Sequence, residues 1–82
     1  VCERWLREFA TPRATINQRA FSYSLKHVVE NWAGQYVTNG ALIQAAVNLG
    51  YRYRRAGRYN AWFEMSVRQM RARHTAKDRV TL

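Results

Sequence analysis

The sequence predicts a small α+β domain of about four helices and one two-stranded antiparallel hairpin. Three observations lead there. Apolar residues recur at i, i+3, i+4 and i+7 in two early segments, glycines stand where helices should end, and the period falls from 3.6 to 2 after Gly50. The 82 residues allow a single domain over 1–82, and a hydrophobic content of 48% supports a packed core rather than a disordered chain.

Cys2, Trp5, Leu6 and Phe9 form the first apolar stripe, so a helix is expected over 2–10. Pro12 disfavours helix at Thr11 and ends it. Residues 11–21 read as a loop, with Ile16 and Phe21 as anchors to the core. Leu25, Val28, Val29 and Trp32 form the second stripe, giving a helix over 23–33 with Ser22 as N-cap and Gly34 as its left-handed end. Thr38 and Asn39 can cap a third helix over 39–49, which buries Leu42, Ile43, Ala46 and Leu49 and stops at Gly50. Its other face carries Gly40, Gln44 and Asn48 at four-residue spacing, with Ala41 and Ala45 beside them.

From Gly50 onward the residues alternate, and a hairpin is expected over 51–65. A three-residue loop at Arg55-Ala56-Gly57 pairs Tyr53 with Tyr59 and Tyr51 with Ala61. It sorts Tyr51, Tyr53, Tyr59, Ala61, Phe63 and Met65 onto one face and Arg52, Arg54, Arg58, Asn60, Trp62 and Glu64 onto the other. It also places Gly57 at a left-handed loop position. Ser66 to Gln69 has capping-box spacing, so a fourth helix is expected over 66–73, with Arg68, Arg71 and Arg73 outward and 75–82 as a tail.

Charge narrows the function. Fourteen Lys and Arg against five Asp and Glu give a net charge of +9, and twelve of the fourteen are arginine. Residues 1–50 carry a net +2 and residues 51–82 a net +7. Such a surplus points to a polyanion, most often nucleic acid, and arginine is suited to forked contact with phosphate or guanine. The alternatives are a solvated surface or one that meets an acidic protein. The chain starts at Val1 rather than methionine, so its natural start is left open. No apolar run reaches the ~20 residues of a membrane span, and no signal-peptide core is present. The lone Cys2 excludes an internal disulfide framework and points to a reducing, cytoplasmic compartment.

A helix over 23–33, Gly34, a short turn, a helix over 39–49 and an Arg-tipped hairpin resemble, in their order, a winged helix-turn-helix DNA-binding domain. The resemblance covers residues 22–65 and lies in element order rather than in a signature sequence. It implies a small regulator, of a type frequent in phages and mobile elements, whose third helix enters the major groove while the hairpin acts as a wing. Thr38, Asn39, Gln44 and Asn48 then become recognition-helix residues, and Arg52, Arg54, Arg55 and Arg58 wing residues. That helix carries no Arg or Lys, which leaves phosphate contact to the wing and to flanking Arg68 and Arg71.

The residue chemistry points the same way. Asn and Gln make paired hydrogen bonds to the adenine edge, and Ala contacts a thymine methyl. Plain solvation of Gln44 and Asn48 remains open, as does a charged guard against strand pairing for the hairpin arginines. Trp62, expected on the wet face beside Arg52, can shield that arginine, stack on a base or anchor a protein. His27 and His74 lack acidic or cysteine partners at motif spacing, and no phosphate loop or paired carboxylate occurs. The reading is therefore non-enzymatic, without metal or cofactor. DNA is favoured over RNA as the partner, and a homodimer is left open. The alternative is a protein-interaction module or inhibitor, for example a phage inhibitor of host defence, that docks through Trp62 and the hairpin on an acidic or nucleoprotein partner.

Overall fold

The computed structural model describes residues 1–68. In chain order these form α1 (Cys2–Phe9), β1 (Ala10–Phe21), α2 (Ser22–Ala33), α3 (Asn39–Asn48), β2 (Tyr53–Ala56) and β3 (Asn60–Val67). The strands make one antiparallel sheet in the order β1-β3-β2. The fold is α+β, as expected, but its sheet has three strands rather than two, and three helices stand among the described residues.

The helices follow their stripes. Cys2, Trp5 and Leu6 of α1, Leu25 and Val29 of α2, and Leu42 and Ala46 of α3 are buried together against Ala61, Phe63 and Met65 of β3. Trp32 and Leu49 pack on this core half-buried. Ala45, expected on the open face of α3, is buried as well. Tyr53, sorted by parity onto the face of Phe63 and Met65, is 46% exposed because β2 is an edge strand of the sheet. Gly34 ends α2 at φ 70°, a conformation that strains any residue with a Cβ. At the end of α3, Gly50 N–H donates to Val47 O at 3.0 Å and Tyr51 N–H to Ala46 O at 3.0 Å. This is the paired bonding of a Schellman cap.

That cap explains a shift in the hairpin. Tyr51 is held by α3, so the strand starts later and its pairs are Tyr53–Phe63, Arg54–Trp62, Arg55–Ala61 and Ala56–Asn60. The turn still has three residues but they are Gly57, Arg58 and Tyr59, with Gly57 left-handed at the first position. The partner of Tyr53 moves by four residues, an even slip that leaves every β3 side chain on its expected face. Arg58 and Tyr59 change from strand residues to turn residues, and Arg55 and Ala56 from loop residues to strand residues.

Residues 11–21 are a strand instead of a loop. β1 takes 12 residues to pass Trp62–Val67, with register shifts between Pro12 and Asn17 and between Asn17 and Phe21. Asn17 repairs one shift: its Nδ2 donates to Met65 O at 3.0 Å and its Oδ1 accepts from Arg19 N at 3.0 Å. Pro12 is tolerated on this edge. Arg68 N–H donates to Phe9 O at 2.8 Å, so the alternation of the ladder puts Pro12 opposite Met65 where no N–H is needed. The same pairing overrules the capping box. Ser66 and Val67 pair with Thr11 and Ala10 and extend β3, so no helix starts at 66. The remainder of that expected helix and the tail lie outside the described residues.

The turn from α2 to α3 is held by one residue. Glu30 O accepts from Gly34 N–H at 2.8 Å and Gln35 N–H at 3.2 Å, and its carboxylate accepts from Val37 N–H at 3.1 Å. Lys26 Nζ lies 3.3 Å from that carboxylate and His27 Nδ1 3.2 Å. Lys26 is only 8% exposed, between the rings of Tyr23 and Tyr36 at 5.4 and 5.3 Å. The backbone hydrogen bond from Val37, with help from Lys26 and His27, holds the Glu30 carboxyl below its ordinary range.

Two outcomes follow. Leu42→Ala should lower stability by about 2–5 kcal/mol in urea melts, because it opens a cavity in a fully buried site. A loss under about 1 kcal/mol would contradict the packing of α3. For Glu30, a lowered folded-state pKa means stability that is present above the ordinary glutamate value of about 4.3 and is lost as pH falls through the folded value. The stability difference between wild type and Glu30→Gln should therefore shrink as pH falls below ~4.3. A pH-independent difference in parallel melts would show that the charge of Glu30 does not hold the turn.

Candidate nucleic-acid interface

The start of α3 and the hairpin turn are joined by a polar knot. Ser22 Oγ, fully buried, accepts from Ala61 N–H at 3.0 Å and donates to Asn60 Oδ1 at 3.2 Å. Asn39 Nδ2 donates to the same Asn60 oxygen at 2.9 Å and to Tyr59 O at 2.6 Å. The knot thus joins the first residues of α2, α3 and β3 to the turn. Ser22 is the first residue of α2 rather than its cap, and its hydroxyl serves β3 instead of the helix. Asn39, expected to face a ligand, has both amide hydrogens committed inward. Thr38 is the N-cap of α3, as expected, its Oγ1 accepting from Ala41 N–H at 3.0 Å.

Gly40, Ala41, Gln44, Val47 and Asn48 form the exposed face of α3. Gln44 Nε2 donates to Asn48 Oδ1 at 2.8 Å. The bonded pair leaves Gln44 Oε1 as an acceptor and Asn48 Nδ2 as a donor. An adenine edge in the major groove presents the complement, an N6 donor and an N7 acceptor. One side of this face also lines a groove of about 690 Å³ shared with Cys2, Glu3 and Tyr36. Burial pushes the Cys2 thiol above its ordinary pKa, which keeps it protonated and weakly nucleophilic.

The hairpin arginines divide in two. Arg52 Nε is 3.3 Å from Glu64 Oε1, so its charge is partly answered. Arg54, Arg55 and Arg58 are exposed, and among the described residues none has a carboxylate within ion-pair distance. Arg55 bridges the turn by donating to Arg58 O at 3.1 Å. Trp62 is half-buried, its ring 5.7 Å from Phe21, with Arg54 rather than Arg52 opposite it on β2. Arg68 is not part of this cluster. It lies at the far end of β3, ~25 Å away at ~3.3 Å per residue, where it donates to Glu8 O at 2.7 Å and covers the Phe9 ring. Arg71 lies outside the described residues.

Sequence reasoning missed Tyr59 and the knot residues Ser22 and Asn60. Nothing in the spacing of positions 22, 39 and 60 marks them as partners.

Ser22→Ala should cost about 1–3 kcal/mol in urea melts, since it leaves the Ala61 N–H buried without an acceptor. A change under about 0.5 kcal/mol would contradict the knot. No family model, curated protein or solved structure matches this chain.

Proposed function

We propose that this chain is a non-enzymatic double-stranded-DNA-binding regulator, with α3 entering the major groove and the hairpin serving as an arginine wing. The observation that carries the proposal is the trio Arg54, Arg55 and Arg58, exposed and without carboxylate partners among the described residues. Arg55 reaches across the turn to Arg58 O while Arg54 leaves the opposite face of β2, beside Trp62, and phosphate would answer the positive charge gathered at this end of the hairpin. The bond from Asn39 to Tyr59 O sets the tip against the start of α3, so a duplex touching one meets the other. Helix, tight turn, helix and hairpin follow in the order on which the winged helix-turn-helix resemblance rests. The roles divide accordingly: the tip supplies affinity without sequence preference, and the Gln44–Asn48 pair supplies the reading of a base edge.

Replacing Arg54, Arg55 and Arg58 together by alanine should weaken binding to all duplexes alike while leaving the fold intact. The slope of log affinity against log salt should flatten by about 0.9 for each arginine that touched a phosphate. Fluorescence anisotropy over a salt series reads both. An unchanged slope and affinity would overturn the wing assignment. If wild type binds no duplex at low salt, the protein-interaction module facing an acidic partner becomes the better reading.

A further inference from the structure

Tyr59 is 73% exposed, although the backbone that carries it is fixed on both sides. Its carbonyl accepts from Asn39 at 2.6 Å, the preceding Arg58 carbonyl accepts from Arg55 at 3.1 Å, and Ala56–Asn60 closes the strand pair below. An aromatic ring is therefore displayed from a braced turn, beside Arg55 and Arg58, whose charges no described carboxylate answers. Bracing matters because a ring on a fixed frame loses little further freedom when it stacks. A ring face with guanidinium groups beside it suits a nucleobase with its phosphates: the base stacks and the phosphates meet the arginines.

In an intact duplex the base faces are covered by their neighbours, and a tyrosine at a hairpin tip has nothing to stack on. Taking a base out of the stack costs least where it is already unpaired. We infer that Tyr59 stacks on an unpaired base, so that the chain prefers duplex DNA interrupted by one over a continuous duplex. The inference rests on the duplex-binding reading above and specifies its substrate. It gives the tip two functions, with arginines that grip phosphate and a tyrosine that detects a break in base stacking.

The test uses two dumbbell duplexes closed at both ends by non-nucleotide ethylene-glycol linkers, one fully paired and one with a single unpaired 2-aminopurine in its stem. Wild type should bind the interrupted dumbbell about 5- to 150-fold more tightly, the range set by stacking one base on an aromatic ring. Binding should also change the 2-aminopurine fluorescence. Tyr59→Ala should lose the preference and the fluorescence change yet still bind the closed dumbbell, and Tyr59→Phe should keep both. Equal affinity of wild type for the two dumbbells, or a preference retained by Tyr59→Ala, would overturn the inference while leaving duplex binding in place. Failure of wild type to bind either dumbbell at low salt would overturn the duplex-binding reading, and this inference with it.

Discussion

One side-chain oxygen, Asn60 Oδ1, ties the architecture together by accepting from both Ser22 and Asn39. Through it the first residues of α2 and α3 are bonded to the first residue of β3, at the place where the chain leaves the hairpin turn. Apolar packing brings helices and sheet together, but it is non-directional and does not fix their relative position. Hydrogen bonds in a half-buried site do, because a donor left without its acceptor there costs about 1–3 kcal/mol. The knot therefore sets the angle between α3 and the hairpin, and the candidate interface inherits that geometry.

Charge is arranged around the same frame. Glu3, Glu30 and Glu64 are each matched to a nearby Arg or Lys, and Glu30 is used to hold the turn between the two helices. Lys26 is buried against that carboxylate and two tyrosine rings, so it adds nothing to the outer field. Three of the four described carboxylates are paired within the domain, and the arginines of the hairpin tip are left to face solvent. The basic surplus lies mostly in residues 51–82, and the fold sets the hairpin's share of it beside the start of α3.

Much of this was legible in the sequence where one local signal decided the matter. The stripes at Cys2–Phe9 and Leu25–Trp32, the cap at Thr38 and the stop at Gly34 all placed their helices within a residue or two. The parity of Ala61, Phe63 and Met65 fixed the buried face of β3 even though the hairpin slipped, since an even slip preserves faces. What escaped depended on partners distant in sequence. β1 has no alternation to announce it, because its register shifts and edge position leave most of its residues exposed. Ser66 and Val67 carry a helix-start signal that pairing with Thr11 and Ala10 overrides. Of the expected interface residues, Arg55 and Arg58 are joined across the turn to which Asn39 is bonded, and Arg54 stands beside them on the other face of β2. Arg68 is carried to the opposite end of β3, and Asn39 turns inward to serve the knot.

Under the proposed function, α3 and the hairpin tip, locked by Asn60, meet a duplex as one surface. Backbone amide shifts of the isotopically labelled chain, followed by NMR during titration with a short DNA duplex, address it most directly. The expected result is that Ala41, Gln44 and Asn48 on α3 shift together with Gly57, Arg58 and Tyr59 in the turn, along one saturation curve. Shifts confined to the Tyr23–Tyr36 side, or two sets that saturate at different duplex concentrations, would contradict it.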